Sequence, residues 1–188
     1  MSFLKNLAAV AAVSLLGALG LATPASATVL CQQEKDPCSS PYPVGTNIAG
    51  EMSQEKTLFT GFADSCTESS FTAEVTNAGG SSSTVTVAFT SLSWGGCGRA
   101  KQVVQAGSME IHHLSKTFEG RGTWTGLVYK DGFCTYTVAA TGVNAAIVAG
   151  SPGELLVETT ATSPSCLKQT WEAVFAVTAP SPLYVAAS

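Results

Sequence analysis

Thr84-Val85-Thr86-Val87-Ala88-Phe89-Thr90-Ser91-Leu92-Ser93-Trp94-Gly95-Gly96-Cys97-Gly98 is the stretch that decides the fold. Val85, Val87 and Phe89 alternate with Thr84, Thr86 and Thr90, the period of two that gives a strand one buried and one wet face. The next large apolar residues, Leu92 and Trp94, fall on the opposite parity. One extra residue, read here as Ser91, would form a β-bulge and restore the pattern. Gly95, Gly96 and Gly98 then bracket Cys97 in a loop where unusual backbone angles cost little, which suits a cysteine reaching for a distant partner.

The same alternation recurs outward from this stretch. Upstream, Phe71, Ala73 and Val75 alternate with Thr72, Glu74 and Thr76, and a Gly79-Gly80 loop spanning Asn77 to Ser83 predicts a hairpin with a long tip. Weaker strands are expected at Asn47–Ser53 and Lys56–Phe62. Downstream, strands are expected at Lys101–Gln105 and Met109–Leu114. Gly120-Arg121-Gly122 reads as a turn into a strand from Thr123 to Tyr129, and Asp131-Gly132 as a two-residue hairpin loop leading into Phe133–Ala140. Ala145–Ala149, Glu154–Thr160 and Gln169–Thr178 complete the set, and Tyr184-Val185 forms either a tail or a short edge strand.

No stretch carries helical periodicity in the mature chain. The expected fold is therefore all-β, an antiparallel β-sandwich of immunoglobulin-like or Greek-key type, with Val87, Phe89, Ile111, Trp124, Tyr136, Val157, Trp171 and Phe175 as its core.

The first residues are set apart from this pattern. Lys5 precedes an apolar run from Leu7 to Leu21 that closes on Pro24-Ala25-Ser26-Ala27, which reads as a secretory signal peptide, residues 1–27, removed after Ala27. Residues 28–45 follow as an irregular arm rich in proline, and 46–188 as a single domain. A secreted chain with six cysteines reads as three disulfides. Six cysteines allow about 15 pairings, among which the sequence alone does not choose; because loop-closure entropy favours short spans, the expected set is Cys31–Cys38, Cys66–Cys97 and Cys134–Cys166, the last two closing loops of about thirty residues at roughly 3 to 4 kcal/mol each.

The whole chain carries a net charge of −4, and loss of Lys5 makes the mature chain more acidic still. With no basic patch, nucleic acid and anionic membranes are poor partners. Only 12% of residues are charged, against about 25% in an average domain; Ser and Thr cover the surface instead.

Catalytic constellations are weak. His112 and His113 are adjacent on an expected strand and point to opposite faces, so no metal site is assigned. Gly150-Ser151-Pro152-Gly153 lacks the spacing of a nucleophile elbow. Glu74, Glu110, Glu158 and Glu172 supply the only carboxylates from which a hydrolase pair could be drawn. The sequence reading is a non-catalytic extracellular binding or interaction module for a glycan, wall component or protein, with no cofactor and no membrane span in the mature chain. Trp94, Arg99 and Tyr42 are its candidate contact residues. A self-associating coat component and a carboxylate hydrolase stand as alternatives.

Overall fold

A computed structural model describes residues 27–60, 64–80, 83–138 and 142–188. The signal peptide read at 1–27 lies outside them except for Ala27, as do the ends of the strands read at Lys56–Phe62 and Phe133–Ala140.

Among the described residues the chain forms strands and no helix: β1 (Val29–Cys31), β2 (Asn47–Met52), β3 (Thr57–Phe59), β4 (Asp64–Cys66), β5 (Glu68–Gly80), β6 (Ser83–Gly95), β7 (Lys101–Gln105), β8 (Ser108–His113), β9 (Gly120–Thr125), β10 (Val128–Asp131), β11 (Cys134–Val138), β12 (Ala145–Val148), β13 (Gly153–Thr162), β14 (Gln169–Ala179) and β15 (Tyr184–Ala186). Thirteen of them make one antiparallel sheet in the order β4-β3-β14-β2-β5-β6-β8-β9-β12-β13-β11-β10-β7. β13 and β14 also pair with each other, from Gly153↔Val177 to Ala161↔Gln169. That pairing joins β14, β2, β5, β6, β8, β9, β12 and β13 into a ring, so the faces of the β-sandwich are continuous around one core. β4 and β7 remain as the two terminal strands.

The alternation that predicted strands is the alternation that fills the core. Every core residue expected from the sequence is buried, from Val87 and Phe89 through Trp171 and Phe175. The aromatic rings meet in sequence: Phe89 stacks on Trp124 with centroids 3.7 Å apart, Trp124 meets Trp171 edge-on, and Trp171 stacks on Phe59. Each such pair adds about 0.5–1.5 kcal/mol beyond its buried area. The long strand β14 spans the core, with Val177 at one end and Gln169 at the other.

At the Val177 end the segments around β1 and β15 cover the core. β1 and β15 pair as a small separate sheet, burying Leu30, Leu183 and Val185. The arm read as irregular thus begins with a strand and is irregular beyond it, with Cys31 bonded to Cys38.

The expected bulge is present, but register places it one residue earlier: Phe89 pairs with Ala73 and Ser91 with Thr72, leaving Thr90 unpaired. Thr90 and Ser91 both hydrogen-bond the Thr72 hydroxyl at 2.7 Å, two residues opposite one. The long tip expected at Asn77–Ser83 is largely strand, since Gly80 pairs with Ser83.

Gly120 and Gly122 do not form a turn. They lie within β9, facing inward, and a Cβ on Gly122 would stand 2.5 Å from Met109 Sδ. These glycines mark close approach in a strand rather than a reversal of it. The single strand read from Thr123 to Tyr129 is interrupted at Gly126-Leu127.

The hairpin loop is also displaced. Asp131 pairs with Cys134, so the two loop residues are Gly132 and Phe133, with Gly132 at φ +60° in the first position as a II′ turn requires. Asp131 keeps the inward parity of Tyr129 and is buried. A residue expected at a wet turn is instead inside the protein.

Candidate functional site

Beyond the ring, at the Gln169 end of β14, the core contains a group of charges. Lys101 opens β7, Asp64 opens β4, and Asp131 closes β10. Their side chains are 0%, 8% and 1% exposed, respectively. Lys101 Nζ donates to Asp64 Oδ2 at 2.6 Å and to Asp131 Oδ2 at 3.0 Å. It also lies 4.5 Å from the centre of the Phe59 ring, a distance at which the ring face attracts a cation.

The remaining contacts hold the carboxylates in place. Asp64 Oδ1 accepts the backbone N–H of Ser65 at 2.8 Å and of Gly98 at 3.1 Å. Asp131 Oδ2 also accepts from Gln169 Nε2 at 2.9 Å, and Gln169 Oε1 accepts from the Tyr129 hydroxyl at 2.8 Å. Tyr136 stacks on Tyr129. Three polar atoms here have no hydrogen-bond partner among the described residues: Asp131 Oδ1, the Tyr136 hydroxyl and Nε1 of Trp94, whose ring packs against Phe59 and Tyr129. Most buried polar groups in proteins are paired, so these orphans single this end of the core out.

Electrostatics follow from the packing. Burial alone would raise the Asp64 carboxyl, but Lys101 and the backbone N–H groups of Ser65 and Arg99 outweigh it and hold it below the ordinary 3.8. Burial pushes the Tyr129 phenol well above 10.0, with the negative charges of Tyr136 and Asp131 adding to the shift. Tyr136 is raised for the same reason, burial first and then Asp131, with Arg99 opposing. The cluster holds Lys101 against the Asp64 and Asp131 carboxylates, with Arg99 close enough to act on Tyr136. Buried charges of this kind are weak as a source of stability and expensive to leave unpaired.

The sequence-predicted contact residues divide differently from expectation. Trp94 is 9% exposed, not a surface platform: its ring packs edge-on against Phe59, Tyr129 and Trp171. It reaches water only as part of a shallow polar groove of about 620 Å³, lined also by Glu51, Glu68, Ser70 and Ser93. Tyr42 is half-buried, and its hydroxyl donates to Pro182 O at 2.7 Å, tying the arm to the C-terminal segment. Arg99 is exposed beside the buried charges.

His112 and His113 face opposite sides as expected, His112 exposed and His113 Nε2 hydrogen-bonded to Thr117 O. Of the glutamates, only Glu158 and Glu172 are brought together, directly opposite each other on β13 and β14, with Glu158 exposed. Glu74 lies opposite Asn47 and Ala88, and Glu110 opposite Thr86 and Thr123.

Reading the sequence missed Phe133 and Leu167. Phe133 is 94% exposed at the tip of the β10–β11 turn, and Leu167 is 66% exposed. They are the chain neighbours of Cys134 and Cys166, which are bonded to each other. Cys66 is likewise bonded to Cys97, so the three pairs are those that loop closure favours. The signal for Phe133 was the loop register: once Asp131 is placed inward with Tyr129, Phe133 falls at the tip.

No family model, no curated protein and no solved structure matches this chain.

Proposed function

We propose that this protein is a secreted, non-catalytic interaction module that docks a protein partner through the apolar tip at Phe133 and Leu167. The observation carrying this reading is Phe133, almost fully exposed on a tight turn fixed by strand pairing and by the neighbouring Cys134–Cys166 disulfide. A phenylalanine on a fixed turn has few torsions to lose on binding, and an aromatic seated in a partner's pocket is the usual centre of an interface. Three disulfides suit an oxidising, extracellular destination. Among the described residues, no helix is long and apolar enough to cross a membrane. Trp94 packs in the core, which supports a protein partner over a glycan stacked on that ring.

The test is site-specific photo-crosslinking in the secreting cell. A photoreactive phenylalanine analogue at position 133 should give a discrete protein adduct, and the same analogue at Lys130, on the wet face of β10, should not. Adducts of equal yield from both positions, or none from position 133, would remove the reading. An adduct of two copies of this chain would favour the self-associating alternative.

A further inference from the structure

We propose that Lys101 and Asp64 condense within the folded domain to form an amide bond between their side chains, with Asp131 as the proton-transfer group. The two reacting groups are already in contact at 2.6 Å, on side chains that packing holds in place. Orientation of this kind converts an improbable encounter into a unimolecular step, worth effective molarities of about 10⁵–10⁸ M in well-aligned cases.

The cluster supplies each part of the reaction from its own residues. The Lys101 ammonium passes one proton to Asp64 Oδ2, giving a neutral amine beside a neutral carboxylic acid. The Nζ lone pair then attacks Asp64 Cγ, the new C–N bond forms, and the carbonyl electron pair moves onto Oδ1. That oxygen already accepts the backbone N–H groups of Ser65 and Gly98, donors placed where negative charge develops. Asp131, 3.0 Å from Nζ, takes a second proton from the nitrogen and delivers it to the Oδ2 hydroxyl. The C–Oδ2 bond breaks, water leaves, and the carbonyl re-forms at Oδ1. The third ammonium proton stays on the amide nitrogen, and Asp131 ends as it began. No oxidant, reductant or other co-reactant is needed.

Burial supplies the driving force. In water, condensation is opposed because ammonium and carboxylate are well solvated, and here that solvation is largely absent. An amide removes two buried charges and sends its water out on the Asp64 side, the more exposed of the two carboxylates. The geometry also gives the bond a structural purpose. β4 and β7 are the two terminal strands of the thirteen-stranded sheet, and a Lys101–Asp64 amide would join them covalently.

The experiment is intact-mass measurement of the full chain, expressed for export and recovered oxidised, followed by peptide mapping after reduction. The expected result is a folded protein lighter by one water, with a branched peptide joining Lys101 to Asp64, and no water loss in folded Lys101→Arg or Asp131→Asn. A folded wild-type protein that keeps its full mass on long incubation overturns the proposal without any variant. So does a water loss that maps to a cyclic imide at Asp131-Gly132. A branch from Lys101 to Asp131 would overturn the roles assigned to the two carboxylates.

Discussion

Asp64 and Lys101 stand on the two terminal strands of the sheet, and their charged groups meet 2.6 Å apart in the core. Terminal strands present unpaired backbone groups and are usually guarded from outside by charge, proline or a covering segment. Here the guard is internal. The charges point inward and pair with each other, and the Cys66–Cys97 disulfide lies just beyond them. The outward-facing Ser and Thr of the eight ring strands need no further protection, because that ring has no free edge.

Breaking the cluster from one side should be severe. Lys101→Ala removes the cross-link and leaves two carboxylates in the core with no cation between them, and a buried charge left without its partner costs about 3–5 kcal/mol. Replacing Lys101, Asp64 and Asp131 together with apolar residues of similar size should recover the part of the loss that comes from the uncompensated charges. Urea unfolding of the single and triple variants checks this; a triple variant no more stable than Lys101→Ala would show that the charges themselves hold the sheet closed.

Most of the fold was legible because burial here follows parity, strand after strand. What was not legible came from residues whose type argued against their position. Asp131 followed by glycine reads as a wet turn, yet its parity with Tyr129 carries it inside. Gly120 and Gly122 read as a turn, yet they are the thin points where Met109 and Val185 press against β9. Lys101 stands two residues from Arg99, and nothing in that spacing places it inside. Nothing local to any of the three charged residues reveals the other two, because they lie on strands brought together only by the closed sheet.

The paired tyrosines should separate in their response to losing a hydroxyl. Tyr129→Phe leaves Gln169 Oε1 buried without its donor, an outcome worth about 1–3 kcal/mol. Tyr136→Phe removes a hydroxyl that has no hydrogen-bond partner among the described residues and should cost nothing or slightly stabilise. Thermal unfolding of the two variants side by side makes the comparison.

The same phenols predict alkaline lability. Both keep their protons longer in the folded protein than in the unfolded chain, since burial raises them above 10.0. Their contribution is therefore intact below pH 10.0 and declines as the pH rises from there toward the raised values. Tyrosinate absorbance should appear together with the loss of near-ultraviolet circular dichroism. Ionisation of all the tyrosines in a protein that stays folded would contradict it.

Acid behaviour distinguishes the linked and unlinked cluster. In Asp131→Asn, where the pair stays ionic, the lowered Asp64 carboxyl contributes stability that is present above 3.8 and is lost as the pH falls below that value. In the wild-type protein, an amide at Asp64 no longer titrates, and this part of the acid transition should be missing. Denaturant midpoints across the acid range compare the two; superimposable curves would argue that both proteins carry the same titrating pair.

The Cys66–Cys97 disulfide offers the last and sharpest comparison. Its loop of 31 residues would, in the chain-entropy model, contribute about 3–4 kcal/mol by restricting the unfolded chain. A Lys101–Asp64 amide encloses that same segment, from two residues before Cys66 to four after Cys97. With the amide in place the unfolded chain is already closed there, and the disulfide closes only the short path of about eight residues outside the shared segment, which the same model values at about 1 kcal/mol less. Replacing both cysteines with alanine should therefore cost about 1 kcal/mol less in the wild-type background than in Lys101→Arg. The two losses are measured by urea unfolding of the four proteins as a double-mutant cycle. Equal losses in both backgrounds would mean that the two cross-links do not share a loop, and that Asp64 and Lys101 meet only as ions.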